Sequence, residues 1–124
     1  MGRAWKHTVL VVEDDQLQRE LVSLIFEESD MHVIQCGSAE AAAAVLEKAG
    51  SDLTLMFTAD LADMSGVELA KIAAQRYPHI DVIVTSSEDV DGDIPDKALF
   101  MPKPWLPLEL LREAEQSCRR HTVH

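Results

Sequence analysis

Short apolar runs alternate along the chain with longer stretches in which apolar residues recur every three or four positions. TVLVV (8–12) is continuous and β-branched, which predicts a strand buried on both faces. HVIQC (32–36), LTLMFT (53–58) and IDVIVTS (80–86) repeat that signature, and ALFM (98–101) is a shorter fifth run. Asp15 is placed to cap a helix reaching about Glu28, with Gln18 at the third helical position and Leu17, Leu21, Leu24 and Ile25 forming its apolar stripe. Ser38 starts an alanine-rich helix through Lys48 that Gly50 closes. Val67–Arg76 reads as a third helix, stopped with the help of Pro78, and Pro107 opens a last one running to about Arg120. EDVDGDIPDK (88–97) is the most loop-like stretch and has room for at most a short helix.

Strands alternating with helices at this spacing predict an α/β fold with a parallel sheet covered on both faces. With 124 residues, one domain is expected, its core spanning about 8–120. In such sheets ligands sit outside the carboxyl ends of the strands, so those ends are where chemistry is sought.

Composition narrows the function classes. The hydrophobic fraction of 47% supports a core. A net charge of -11 repels nucleic-acid phosphates, and the lone basic pair Arg119-Arg120 reads as a helix-end charge. Cys36 and Cys118 form no metal-binding spacing and no disulfide framework. No apolar run approaches the ~20 residues of a membrane span, and MGRAWKH lacks the apolar segment of a signal peptide. The expectation is a cytoplasmic protein with no membrane and no nucleic-acid partner.

Glu13, Asp14 and Asp15 follow the first strand, and Thr58, Ala59 and Asp60 end the third. Thr85, Ser86 and Ser87 follow the fourth, and Met101, Pro102, Lys103 and Pro104 the fifth. Acids, hydroxyls and one amine therefore converge on one edge. Neighbouring carboxylates repel unless a cation neutralises them, and a hard ion such as Mg²⁺ is held by one or two carboxylates plus waters. A carboxylate can accept a phosphoryl group, whose charge a metal and a lysine then stabilise. A flavin-phosphate site would need amide donors after the first strand, where EDDQ presents carboxylates instead. A small phosphatase would need an Asp nucleophile where Glu13 stands. Trp5 and Trp105 read as packing anchors, Trp105 also as a candidate for a partner surface, and Asp60 and Asp63 read either as loop solubilisers or as functional acids.

Taken in order, TVLVVEDD, VIVTS and MPKP resemble the receiver domain of bacterial two-component response regulators, over roughly Thr8 to Arg120. FTADLA…GVELA and RYPHIDVIVTS are similar to the stand-alone single-domain receivers of alphaproteobacteria. The resemblance implies a flavodoxin-like (βα)5 fold, here with a shortened fourth helix. It implies that Glu13 and Asp14 bind Mg²⁺, that Thr85 is the switch hydroxyl, and that Lys103 contacts phosphate before a cis Pro104. It also assigns Phe100 to the aromatic switch position. The implied partners are a sensor histidine kinase or histidine phosphotransfer protein and a downstream protein target. No output domain and no enzymatic activity are expected.

One position departs from the pattern. Relatives put the acceptor Asp directly after Phe-Thr, and here Phe57-Thr58 is followed by Ala59. Asp60 is the nearest carboxylate, one residue late, and strand alternation aims it away from Ala59 unless a bulge or an early strand end re-aims it. Two readings follow: a phosphorelay receiver with a displaced acceptor, and a pseudo-receiver that signals by binding alone.

Overall fold

The run Thr8–Val12 forms β1, and Val9, Leu10, Val11 and Val12 are all fully buried because helices cover both faces of the sheet. The computed structural model describes residues 6–87 and 94–122. After β1 come α1 (Gln16–Glu28), β2 (His32–Cys36), α2 (Ala39–Ala49), β3 (Leu55–Thr58) and α3 (Gly66–Arg76). They are followed by β4 (Asp81–Ser86), β5 (Ala98–Pro102) and α4 (Pro107–Thr122). All five strands are parallel in the order β2-β1-β3-β4-β5. The order reverses between β1 and β3, which opens a crevice at their carboxyl ends. Trp5 and much of the predicted short helix in 88–97 fall outside the described residues; within the remainder, Asp96 and Lys97 form a turn.

Alternation along each strand divides the core. Leu10, Val12, Met56, Val82 and Val84 face α2 and α3, packing on Leu46, Leu69 and Ala73. Val9, Val11, Leu55, Phe57 and Ile83 face α1 and α4, packing on Ile25, Phe26 and Leu110. Phe57 lies between Phe26 and Trp105, edge-to-face with each at a centroid distance of 6.1 Å. Trp105 is thus a packing anchor, as the sequence suggested.

Two helix readings need correction. The stripe expected to be the apolar face of α1 stands largely in solvent, with Leu17 76%, Leu21 47% and Leu24 60% exposed. Its buried residues are Val22, Ser23, Ile25 and Phe26. The helix carries two apolar stripes, and only contact with the sheet decides which is covered. Gly50 is not a left-handed cap; its φ is -54° and the chain continues into a 3-10 turn, Gly50–Asp52. A Cβ there would stand 2.5 Å from the Tyr77 ring, so close packing explains the glycine.

At the amino ends of the strands, α4 is tied down by Asp81, which accepts from Ser117 Oγ (2.7 Å) and Arg120 Nη2 (3.0 Å). Arg120 is thus paired with a strand carboxylate rather than simply balancing the helix end. His7 bridges Thr54 Oγ1 and Thr122 Oγ1. Thr122 spends its own proton on Cys118 O, so it accepts from His7 Nε2. Burial, then the charges of His121 and Lys6, push the His7 pKa below the ordinary 6.5.

Two predictions follow from this packing. Phe26→Ala is expected to cost about 3–5 kcal/mol in denaturant unfolding, whereas Leu24→Ala should stay within about 0.5 kcal/mol; equal losses would reverse the assignment of the α1 faces. For His7, the unfolded chain takes up a proton that the folded chain resists. Stability from this group is therefore complete above the ordinary 6.5 and is lost as pH falls through that value toward the lower folded pKa. Comparing Tm of wild type and His7→Gln between about pH 8 and about pH 5 should show a shallower decline in the variant.

Candidate functional site at the carboxyl edge of the sheet

The strand register fixes which side chains share a face. Val12 pairs with Thr58, Thr58 with Val84, and Thr85 with Met101. The ladder runs one residue further, since the Ala59 N–H donates to Val12 O at 3.1 Å. Glu13, Ala59 and Thr85 therefore form one rank on the α1/α4 side. Asp14, Asp60 and Ser86 form the next, which alternation turns to the α2/α3 side.

On the first rank, Glu13 is buried to 4% exposure, and its Oε1 lies 3.9 Å from Lys103 Nζ. Its Oε2 accepts the Asp15 N–H at 3.2 Å. This bond supplies the return arm of the α1 cap that Gln18 was expected to give; Asp15 Oδ1 itself accepts from Leu17 N and Gln18 N. Burial raises the Glu13 pKa, the Asp15 N–H and the Lys103 ammonium oppose that, and the adjacent Asp14 carboxylate raises it further. Ala59 is 1% exposed and brings only a methyl group to this rank. Thr85 is 1% exposed, and among the described residues its Oγ1 has no hydrogen-bond partner. The bond between Lys103 and Pro104 is cis.

On the second rank, Asp60 makes a different set of contacts. Its Oδ1 accepts the Gly66 N–H at 3.1 Å, and its Oδ2 accepts from Ser86 Oγ at 2.6 Å. Asp14 Oδ2 accepts the Ala62 N–H at 3.0 Å. Gly66 lets the loop return this tightly, because a Cβ there would lie 2.9 Å from Ala59 O. Asp63 is not a mere loop solubiliser. It accepts from Ala39 N (3.0 Å) and Glu40 N (3.1 Å), and these two bonds lower its pKa. It is thus a second cap for α2 beside Ser38. The run GSAE carries the Ser38 signal, whereas a cap supplied from a distant loop leaves no local trace.

The structure brings Glu13 and Lys103 together and sets Thr85 in their rank. Asp60 belongs to the other rank. Phe100 is half-buried, packed against the α2/α3 core and opposite Val84 in the ladder. Among the described residues no three His, Cys, Asp or Glu side chains form a metal cage. Glu13 and Asp14 are neighbouring, mutually repelling carboxylates, which is the donor chemistry a hard divalent ion needs when waters complete the shell. Ala59 adds no carboxylate to the pair.

A sequence model of the response regulator receiver domain matches residues 9–99. The sensor protein TorS of Escherichia coli (strain K12) is 28% identical over 108 residues, covering 83% of this chain and 12% of that protein. The chain therefore spans about an eighth of that relative's length. The fold is similar to a CheY-like receiver domain protein from Methanospirillum hungatei JF-1 (TM-score 0.81, 22% identity, 94% of this chain and 96% of that one). It is also similar to a receiver protein from Sinorhizobium medicae WSM419 (TM-score 0.82, 16% identity, 93% and 96%). No helix among the described residues is long and apolar enough to cross a membrane.

The first rank yields a prediction about charge. Ala59→Asp would bury another carboxylate beside Glu13. Its Tm in EDTA is expected to fall by roughly 5 °C or more, and millimolar Mg²⁺ should restore it by binding the folded state. A variant whose Tm ignores Mg²⁺ would show that Glu13 and Asp14 do not hold the ion.

Proposed function

The chain belongs to the response regulator receiver family, and on that premise we propose that it signals as a receiver-fold binding module without forming an aspartyl phosphate. Receiver domains of this family contact sensor kinases or phosphotransfer proteins and are in general signalling rather than catalytic domains. The observation that carries the reading is the engagement of Asp60. Both of its oxygens accept hydrogen bonds, from Gly66 N and Ser86 Oγ, on the face opposite Glu13 and Lys103. In-line attack on a phosphoryl donor needs a free carboxylate oxygen beside the amine and the metal-binding acids. Ala59, in that rank, has none.

Under this reading Lys103 acts mainly as the counter-charge of buried Glu13. Mg²⁺ bound by Glu13 and Asp14 would supply neutralisation of the acid pair, with no covalent chemistry following from it. Output passes through protein contact, and the exposed Leu17, Leu21 and Leu24 on α1 and Leu106 and Leu108 at the start of α4 favour such contact. The partner is a sensor histidine kinase, a phosphotransfer protein or a downstream protein target.

A second reading keeps Asp60 as a displaced acceptor reached by rearrangement of the 60–65 loop. Thr85 Oγ1, buried and without a partner among the described residues, favours it, because a phosphoryl oxygen would satisfy that hydroxyl.

Incubation with acetyl phosphate and Mg²⁺, followed by intact mass measurement, separates the two. No phosphate-sized gain is expected for the wild type. A gain that disappears in Asp60→Asn would establish the displaced acceptor instead.

A further inference from the structure

We propose that Asp60 and Ser86 are positioning residues that brace the carboxyl edge, holding the loop that carries Lys103 and Trp105 in one arrangement without a phosphoryl group. The inference rests on the reading of this edge as a site that does not transfer phosphate, and it names what takes the place of phosphorylation.

The brace can be followed bond by bond. The amino end of α3 donates from Gly66 N to Asp60 Oδ1 at 3.1 Å. Asp60 Oδ2 accepts the buried Ser86 hydroxyl at 2.6 Å, a charge-assisted bond at the short end of its range. The Ser86 carbonyl accepts the Lys103 N–H at 2.9 Å. Lys103 Nζ lies 3.9 Å from Glu13 Oε1, and Glu13 Oε2 takes the Asp15 N–H that begins α1. One path thus joins the starts of α3 and α1 through the ends of β3 and β4 and the loop after β5.

Ser86 is the junction. Its side chain ties it to the β3–α3 loop, and its backbone ties it to the β5–α4 loop. It directly follows Thr85, so a hydroxyl held by Asp60 also restrains the Thr85 backbone. The Asp60 loop is itself held on its other side by Asp14 Oδ2 on Ala62 N and by Asp63 on the start of α2. The anchored end of β4 therefore fixes the frame from which Lys103, Pro104 and Trp105 project. A partner meeting that loop meets it already ordered, with less conformational entropy to lose on binding.

Amide hydrogen exchange on the full chain, with no phosphodonor present, tests the brace. Ser86→Ala is expected to speed exchange roughly tenfold or more at Ser86 and Gly66 and also at the Lys103 amide, which donates to the Ser86 carbonyl. Ser86→Thr, which keeps the hydroxyl, should return exchange toward wild type. If Ser86→Ala does not fold, Asp60→Ala removes the same bond from the other side and carries the same expectation. Faster exchange confined to Ser86 and Gly66, with Lys103 unchanged, would reduce the contact to a local tie and overturn the proposal. That outcome is separate from failure of the functional reading, which the phosphodonor mass measurement decides.

Discussion

The backbone ladder that pairs Val12 with Thr58 and Thr58 with Val84 governs what the carboxyl edge of this sheet can do. β1, β3 and β4 are buried along nearly their whole length, and their two sets of alternating side chains pack on different helix pairs, so a slip of one residue would exchange the two halves of the core. One further ladder bond, from Ala59 N–H to Val12 O, holds the chain on the strand's course as β3 ends. Glu13, Ala59 and Thr85 share the face that Lys103 reaches, and Asp60 shares the other with Ser86. A displacement of one residue in sequence thus becomes a change of face, and the Asp60 carboxylate has partners other than Glu13 and Lys103.

The acids at this edge share a second constraint. Asp15 accepts two amide protons at the start of α1, and Asp63 accepts two at the start of α2. Asp60, Asp14 and Glu13 each accept one more from Gly66, Ala62 and Asp15. Helix starts and tight loops leave N–H groups without backbone partners, and carboxylates are strong acceptors for them. In a chain of net charge -11, much of the negative charge on this edge therefore holds loops in place. Lys103 is the cation at 3.9 Å from the most buried of these acids.

The exposed leucines of α1 fit the same division between structure and contact. Val22, Ile25 and Phe26 suffice to seal the helix to β1 and β3, which leaves Leu17, Leu21 and Leu24 facing water beside a groove of about 670 Å³ lined by Leu21, Lys103 and Trp105. Apolar surface at a rigid edge is the usual substrate for protein contact. The loop after β5 borders the same groove through Lys103, Pro104 and Trp105.

The strands were legible in the sequence because continuous β-branched runs have few alternatives to a doubly covered parallel sheet. The convergence of Glu13, Asp14, Thr85 and Lys103 on one edge was legible for the same reason: parallel strands bring their carboxyl ends together. The stripe of α1 was misread because a helix with apolar residues on two sides carries no label for which side meets the sheet. Asp63 was passed over because its partners lie 23 and 24 residues away. That Ala59 and not an acid follows Thr58 could be read from the sequence, and so could the rule that strand alternation separates Asp60 from Ala59. The destination of Asp60 could not, since a bulge or a shortened strand would have served the chain equally well. Only the fold, which ends β3 at Thr58 and brings Ser86 Oγ to Asp60 Oδ2, decided it, because hydrogen-bond partners separated by 26 residues are chosen by tertiary packing and not by local preference.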